Sequence, residues 1–470
     1  MKTDKQIIKP LLALAGPIIL ANFFQAAYQL TDAFWVGRLG EKGVASVAVT
    51  APVIFFMMSL GIGFAIAGAT LTAQYFGAKN EKMVSHSASQ TLIMVITVSL
   101  LISIVGYIFA PLILKFLGVG DSIFSSSLTY LRISFIGMIF NFAFFMFQSI
   151  MRSIGRPKMP VYIVVGTVLL NFALDPLFMF GAGFIPALGV AGTAWATLFT
   201  QSIAATIGLA TLFGGKFGIK LHRHDFLPDF KFMRRAFFLG LPASIEQSAR
   251  SLGLAVMTGL ITSFGTLAIA AYGVGSNIFQ LALMLGFGFA GANAALVGKN
   301  LGAQDPQSAD HTARLSLKLI FLSLTSLGVL VFIFAPAFIR FFVPSDLNVI
   351  REGAFFLRFI ALTFGIIGMQ IIVGSTLQAA GSTKQSMILT LTSQWAIQLP
   401  LAFLLAKFFN LGIIGVWIAF PATNLFMVGI YLTIFFRGKW KNKKIIDDDQ
   451  ETQTKIIQET KIDEIVNQES

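Results

Sequence analysis

The amino-acid sequence repeats itself with a spacing of about half its length. Gly61-Ile62-Gly63-Phe64-Ala65 returns in the second half as Gly286-Phe287-Gly288-Phe289-Ala290. The same offset, without a gap, pairs Pro17 with Pro242, Gly40 with Gly265, Gly77-Ala78 with Gly302-Ala303, and Ala110-Pro111 with Ala335-Pro336. It then drifts slightly, pairing Leu131-Arg132 with Leu357-Arg358, Gly155 with Gly381 and Lys158 with Lys384. Near the end it pairs Leu188-Gly189 with Leu411-Gly412. A unit this long is a whole bundle, not one turn of a solenoid of roughly 20–50 residues per repeat. Two half-proteins facing each other are a common way to build a membrane transporter.

The chain is 56% hydrophobic and 12% charged, against roughly 25% charged in a soluble domain, so it reads as an integral membrane protein. It has no cysteine, which removes disulfides, thiolate catalysis and iron–sulfur clusters. The four histidines (His86, His222, His224 and His311) lie in or beside polar connections, which argues against a histidine metal or catalytic site within the membrane. Without cysteine, intramembrane histidine or paired metal ligands, an enzyme is not expected. No segment reads as a selectivity filter, so a channel is not expected either. The net charge of +13 could suggest nucleic acid, but its placement points elsewhere. The stretch 445–470 carries eight acids and two lysines, so the remainder is +19, concentrated in alternate connections. That is the positive-inside pattern of a membrane protein. The first apolar run is too long for the core of a cleavable signal peptide.

A spanning helix needs about 20 largely apolar residues. Twelve such runs are predicted, at about 10–36, 44–76, 88–116, 124–151, 158–180 and 187–213, then 236–263, 268–300, 312–342, 350–379, 385–408 and 412–436. Lys and Arg favour the N-terminus and the even-numbered connections, including Lys79, Lys82, Arg152, Arg156 and Lys158, so both termini are expected in the cytoplasm. Residues 214–235 form a long polar connection between the repeats. The expected fold is all-α: two parallel six-helix repeats around a central cavity, related by an axis along the membrane normal. The expected units are an N-terminal lobe (1–213), a cytoplasmic connection (214–235), a C-terminal lobe (236–436) and a charged cytoplasmic tail (437–470).

Three acids fall inside predicted spans, clear of their ends: Asp32, Asp175 and Glu246. Insertion scales charge on the order of 3 kcal/mol for such a residue at mid-span, so it is an ion- or proton-site candidate. Asp32 sits late in the first helix and Asp175 late in the fifth, both in the outer half of the first bundle. Asn171 lies one turn before Asp175 on the same face. Thr193, early in the sixth helix, and Tyr130, starting the fourth, reach a matching depth. Two carboxylates with amide and hydroxyl oxygens at one level can hold a small hard cation or share a proton. Pro17, in the same helix as Asp32, removes a backbone hydrogen bond and invites a bend; Pro242 repeats it. Glu246 is open to two readings, an ion pair with Arg250 at i+4 or a substrate contact. Few positive charges lie well away from the ends of the spans: Arg132, Arg250 and Arg358. The glycines of the 61–68 and 286–291 runs read as close helix packing, and Met57, Met58 and Met284 as core or lipid-facing.

These stretches resemble a known family. Pro17…Gln25…Asp32-Ala-Phe-Trp-Val-Gly37…Leu39-Gly40 is similar to the first helix of the MATE (multidrug and toxic compound extrusion) transporters. Asn171-Phe-Ala-Leu-Asp175-Pro176 resembles their fifth-helix motif and Gly189-Val-Ala-Gly192-Thr193 their sixth, with the likeness running over about 10–436 and closest to the prokaryotic DinF-like branch. The resemblance implies an antiporter that expels organic, often cationic, or lipophilic compounds across the inner membrane in exchange for H⁺ or Na⁺, with no cofactor, acting as a monomer. It implies a cation site of Asp32, Asn171, Asp175 and Thr193, able to take Na⁺, with Tyr130 beside it. It implies a bend at Pro17 and a cavity-lining role for Gln25; Glu246 is a further cavity candidate. The NorM-like branch carries a tenth-helix acid that is absent from Met369 to Gly381 here, so a sodium site of that type in the second half is not expected. A flippase of the same superfamily for lipid-linked precursors or polysaccharide is the alternative; such proteins generally need basic residues in the cavity. The acids are not duplicated, since Met257 stands opposite Asp32.

Overall fold

The computed structural model describes residues 3–183, 186–215, 217–443 and 445–446. The acidic tail beyond residue 446 lies outside the described residues. The first repeat contains α1 (Asp4–Gly37), α2 (Glu41–Gly77), α3 (Glu81–Phe116), α4 (Asp121–Ser153), α5 (Lys158–Phe180) and α6 (Val190–Phe213). The second contains α7 (Phe230–Thr262), α8 (Thr266–Gly302), α9 (Pro306–Phe342), α10 (Leu347–Ala361 and Phe364–Ala379), α11 (Thr383–Phe408) and α12 (Gly412–Phe436). The architecture is the expected all-helical one. Among the described residues ten of these helices are long and apolar enough to cross a membrane on their own, and the two halves of α10, bent by 51°, supply an eleventh. The twelfth, α7, falls short because Arg234, Arg235, Glu246, Gln247 and Arg250 interrupt its apolar run.

Most expected ends hold to within a few residues, and the larger extensions are at polar N-termini. Helix α3 begins at Glu81 rather than 88, because Asn80 caps it by accepting the Met83 N–H at 3.1 Å. Helix α9 begins at Pro306 rather than 312, because Asp305 accepts the Ser308 N–H at 2.9 Å. Helix α7 begins at Phe230 rather than 236, capped by Asp229. Such caps satisfy N–H groups that have no partner within the helix. The connection between repeats is therefore shorter than 214–235. It is fastened to α3 by Gln90, whose amide donates to the carbonyls of Asp225 and Leu227 and accepts from the Asp229 N–H.

The duplication extends to backbone geometry. The caps Asn80 and Asp305 stand at the same offset as Pro17 and Pro242. So do Lys79 and Gln304, both left-handed, with φ of 56° and 55°. Gly40 and Gly265 also pair, at φ 80° and 101°, a region that glycine enters without steric cost.

The repeats meet about a pseudo-twofold axis. A Cβ on Gly77 would collide with the Lys299 carbonyl, and one on Gly302 with the Gln74 carbonyl. A Cβ on Gly63 would collide with Ser244, and one on Gly288 with Ile19. In each pair both partners exchange repeats at the one fixed offset, which is the signature of a self-complementary contact across a twofold axis. The axis also explains the packing of α1 and α7. Leu11, Leu14, Ala15 and Ile18 of α1 belong to the apolar core of the second repeat. Their counterparts Ala236 and Leu239 of α7 belong to the core of the first. The starts of the two helices are thus exchanged between lobes, while Tyr28, further along α1, returns to the first core.

Helix α11 contains two stretches of wider π turns, Thr392–Gln398 and Leu404–Phe408. π turns mark local insertions in a helix and recur near functional sites. Here the first brings Gln394 and Trp395 onto the Arg250 and Ala249 carbonyls of α7, at 3.3 and 3.1 Å.

Candidate functional site

Two polar loci stand out in this apolar bundle. The first lies inside the first lobe, among α1, α5 and α6. Helix α5 carries Asn171 and Asp175 one turn apart, and the Asn171 amide donates to Asp175 Oδ1 at 3.2 Å. Both are fully buried. Pro176 follows Asp175 within the helix and has no N–H to give back to the preceding turn. Helix α1 brings Asp32 alongside, within side-chain interaction range of Asp175, Asn171 and Thr197. The C-terminal end of α1 is held by Trp35, whose ring packs on Phe172 and Phe180 of α5 at 5.6 and 6.5 Å. One turn before Asp32, the Tyr28 hydroxyl meets Thr200 of α6 at 2.6 Å.

Three oxygens in this locus, Asp32 Oδ1, Asp175 Oδ2 and Asn171 Oδ1, are buried without a hydrogen-bond partner. Thr197 reaches Asp32 Oδ2 only at 3.5 Å, the outer limit of a hydrogen bond. The guanidinium of Arg38, just past the end of α1, stacks on Phe34 and Trp35 at 4.5 and 4.8 Å. Two carboxylates so placed in low dielectric cannot both remain charged and uncompensated without a large cost. An all-oxygen donor set of this kind fits a proton or a hard cation such as Na⁺.

The structure brings together Asp32, Asn171 and Asp175, with Tyr130 of α4 in electrostatic reach of both carboxylates. Thr193 is buried on the neighbouring helix, but its hydroxyl donates to the Val190 carbonyl at 2.8 Å. The hydroxyl aimed at Asp32 is Thr197, one turn further along α6. Sequence reasoning missed Thr197, Thr200 and Tyr28; the signal was the i+4 and i+7 spacing from Thr193 and the i−4 spacing from Asp32.

The second locus is a cavity of about 250 Å³ between the lobes. Its walls include Asn22 of α1, Arg152 of α4, Glu246, Gln247 and Arg250 of α7, and Gln378 of α10. Of the two cavity candidates, Glu246 lines it. Gln25 is not among its lining residues; Asn22, three residues earlier, takes that place. Glu246 is buried and saturated. Its Oε1 accepts from Arg250 at 2.9 Å and from Thr390 at 3.0 Å, and its Oε2 from Gln378 at 3.2 Å. Arg152 corrects an expectation: it was placed in the basic connection, but α4 runs on to Ser153 and carries its side chain into the cavity wall.

The loci are joined by one helix. Asn22 at the cavity and Asp32 at the carboxylate site are separated along α1 by roughly 15 Å, at 1.5 Å of rise per residue. Pro17 lies five residues before Asn22 and fifteen before Asp32, close to where α1 passes from one core to the other. Away from these loci, His222, His224 and Asp225 come together in the connection between α6 and α7. They lie outside the spanning helices, in keeping with the sequence reading.

The MatE family model matches residues 17–177 and 242–404, one stretch in each repeat. The probable multidrug resistance protein YoeA of Bacillus subtilis is 26% identical over 449 residues, covering 94% of this chain and 96% of that one. The probable multidrug resistance protein NorM of Thermotoga maritima is 27% identical over 442 residues, covering 94% and 95%. Among solved structures, a MATE in complex with MaL6 superimposes with a TM-score of 0.87 at 21% identity, covering 94% of this chain and 100% of that one.

Proposed function

Because the chain belongs to the MatE family of membrane transporters, we propose that it is a secondary antiporter that exports small organic compounds in exchange for H⁺ or Na⁺. The relatives' description as probable multidrug resistance proteins supports drug-like or toxic compounds as cargo. The observation that carries the reading is the cluster of unpartnered buried oxygens on Asp32, Asn171 and Asp175. An ion arriving there cancels one of the pair's two negative charges and changes how tightly α1 is held against α5 and α6. Helix α1 passes that change to the cavity through Asn22, bending at Pro17. Thr193 and Tyr130 complete the surroundings of the site. The basic face, with the start of α1 and the end of α12, faces the cytoplasm from a bacterial-type inner membrane. Glu246 orders the cavity wall and does not take the ion.

The coupling ion is identified by loading proteoliposomes with a fluorescent cargo and imposing a pH gradient and a Na⁺ gradient separately. One of the two should accelerate efflux several-fold over gradient-free vesicles; acceleration by neither would end the antiport reading. The bend is checked by spin labels, which can be placed at will in a chain without cysteine. Labels on either side of Pro17 should change separation when the coupling ion is added. An unchanged separation during active transport would exclude the bend.

A further inference from the structure

The two repeats supply the central cavity with different charges. The offset that pairs Pro17 with Pro242 places Ala21 opposite Glu246 and Gln25 opposite Arg250. The slightly longer offset that pairs Gly155 with Gly381 places Arg152 opposite Gln378. In the second repeat the charges cancel, because Glu246 is held by Arg250 and Gln378 with both oxygens engaged. In the first repeat an alanine stands where that acid would be. Arg152 therefore lacks the carboxylate counterpart that Arg250 has. Its Nε donates to the Gln148 carbonyl of its own helix at 3.1 Å. Among the described residues the terminal N–H groups of its planar fork have no hydrogen-bond acceptor, and the side chain lines the cavity. Among the described residues, Arg152, Glu246 and Arg250 are the charged side chains lining the cavity, which leaves it with one net positive charge.

We propose that Arg152 binds an acidic group, carboxylate or phosphate, on the cargo, so that the preferred cargo is a lipophilic organic anion or zwitterion. This rests on the reading that the central cavity carries the cargo, and it narrows the substrate class. A guanidinium held within a membrane protein is costly unless something balances it, and such residues face a partner or a substrate path. Its geometry matches carboxylate and phosphate oxygens two at a time. A cationic cargo meets the opposite situation. It would face an unbalanced Arg152, and it could reach Glu246 only by displacing Arg250, Thr390 or Gln378. The apolar remainder of the wall, including Ile62, Phe145 and Phe287, suits an aromatic or alkyl body.

The test uses purified full-length protein in detergent and three probes that share one ring system: 2-naphthoate, 2-naphthalenemethanol and 2-naphthylmethylammonium. Titration calorimetry should show the acid binding about tenfold or more tighter than the alcohol, as for a charge-assisted hydrogen bond. Arg152→Gln should reduce that preference to about twofold or less while the alcohol still binds, which shows that the cavity persists. Arg152→Lys should retain part of the preference, since it keeps the charge but loses the fork. Farnesyl phosphate binding more tightly than the naphthoate, and losing that advantage in Arg152→Gln, would support the acidic group and place it on a lipid. A wild-type preference for the ammonium, or an acid preference unchanged in Arg152→Gln, would overturn the proposal. The parent reading fails separately: ammonium efflux driven by an ion gradient without binding of the acid sinks only the inference, whereas tight acid binding with no response to either gradient sinks only antiport.

Discussion

Asparagine in place of Asp32 is expected to reduce gradient-driven efflux to the level of vesicles without protein, while the variant folds and inserts normally. The amide keeps the size of the side chain and can still meet Thr197, so packing is little changed. It cannot take up or release a proton, and it carries no charge to hold a cation. Asp175→Asn should have the same effect for the same reason. The two carboxylates act on one ion, so the double variant should sit at that same level. Proteoliposomes with matched protein content measure this directly. Efflux in Asp32→Asn within about twofold of wild type would remove Asp32 from the coupling role; the wild-type response to the gradient supplies the scale.

The second large effect is on stability. Leucine in place of Glu246 should strongly destabilise the protein, because it leaves Arg250 without its counter-charge and the Thr390 and Gln378 donors without an acceptor. Removing one partner of a buried ion pair costs on the order of 3–5 kcal/mol, and the value here falls toward the low end because Arg250 is partly exposed. The double variant Glu246→Leu with Arg250→Met should recover most of the loss, since replacing both partners by apolar groups of similar volume is often close to neutral. Thermal unfolding in detergent distinguishes the cases. A single variant as stable as wild type, or a double variant no better than the single, would contradict the description of Glu246 as a structural acid.

The legible parts of the sequence were those where physics leaves few choices. Long apolar runs are hard to mistake, α7 with its interrupting charges being the least clear, and proline and glycine landmarks at a nearly constant offset declare the duplication. Asp32 and Asp175 were visible because an acid in a membrane helix is rare and costly. Thr197 was not, because a hydroxyl in a membrane helix can bond its own carbonyls, as Thr200 does to Ala196 at 3.0 Å, and so carries little positional information. Arg152 was misplaced because it stands among the basic residues of a connection, with Gly155 and Arg156 just beyond; only the continuation of α4 to Ser153 moves it into the wall. The exchange of α1 and α7 between lobes was hidden for a different reason. A run of buried positions says that a helix has an inner face, but not which neighbour covers it. The short caps Asn80 and Asp305 and the 51° bend of α10 were likewise outside what hydropathy can resolve.

Coupling at the Asp32–Asp175 pair requires ion and cargo to move together. The most direct test records both fluxes at once in the same proteoliposomes, cargo leaving and H⁺ or Na⁺ entering, for wild type and Asp32→Asn. Such coupling predicts a fixed ratio of ion to cargo in the wild type and the loss of both fluxes together in the variant. Cargo efflux with no accompanying ion movement, or both fluxes persisting in Asp32→Asn, would contradict it.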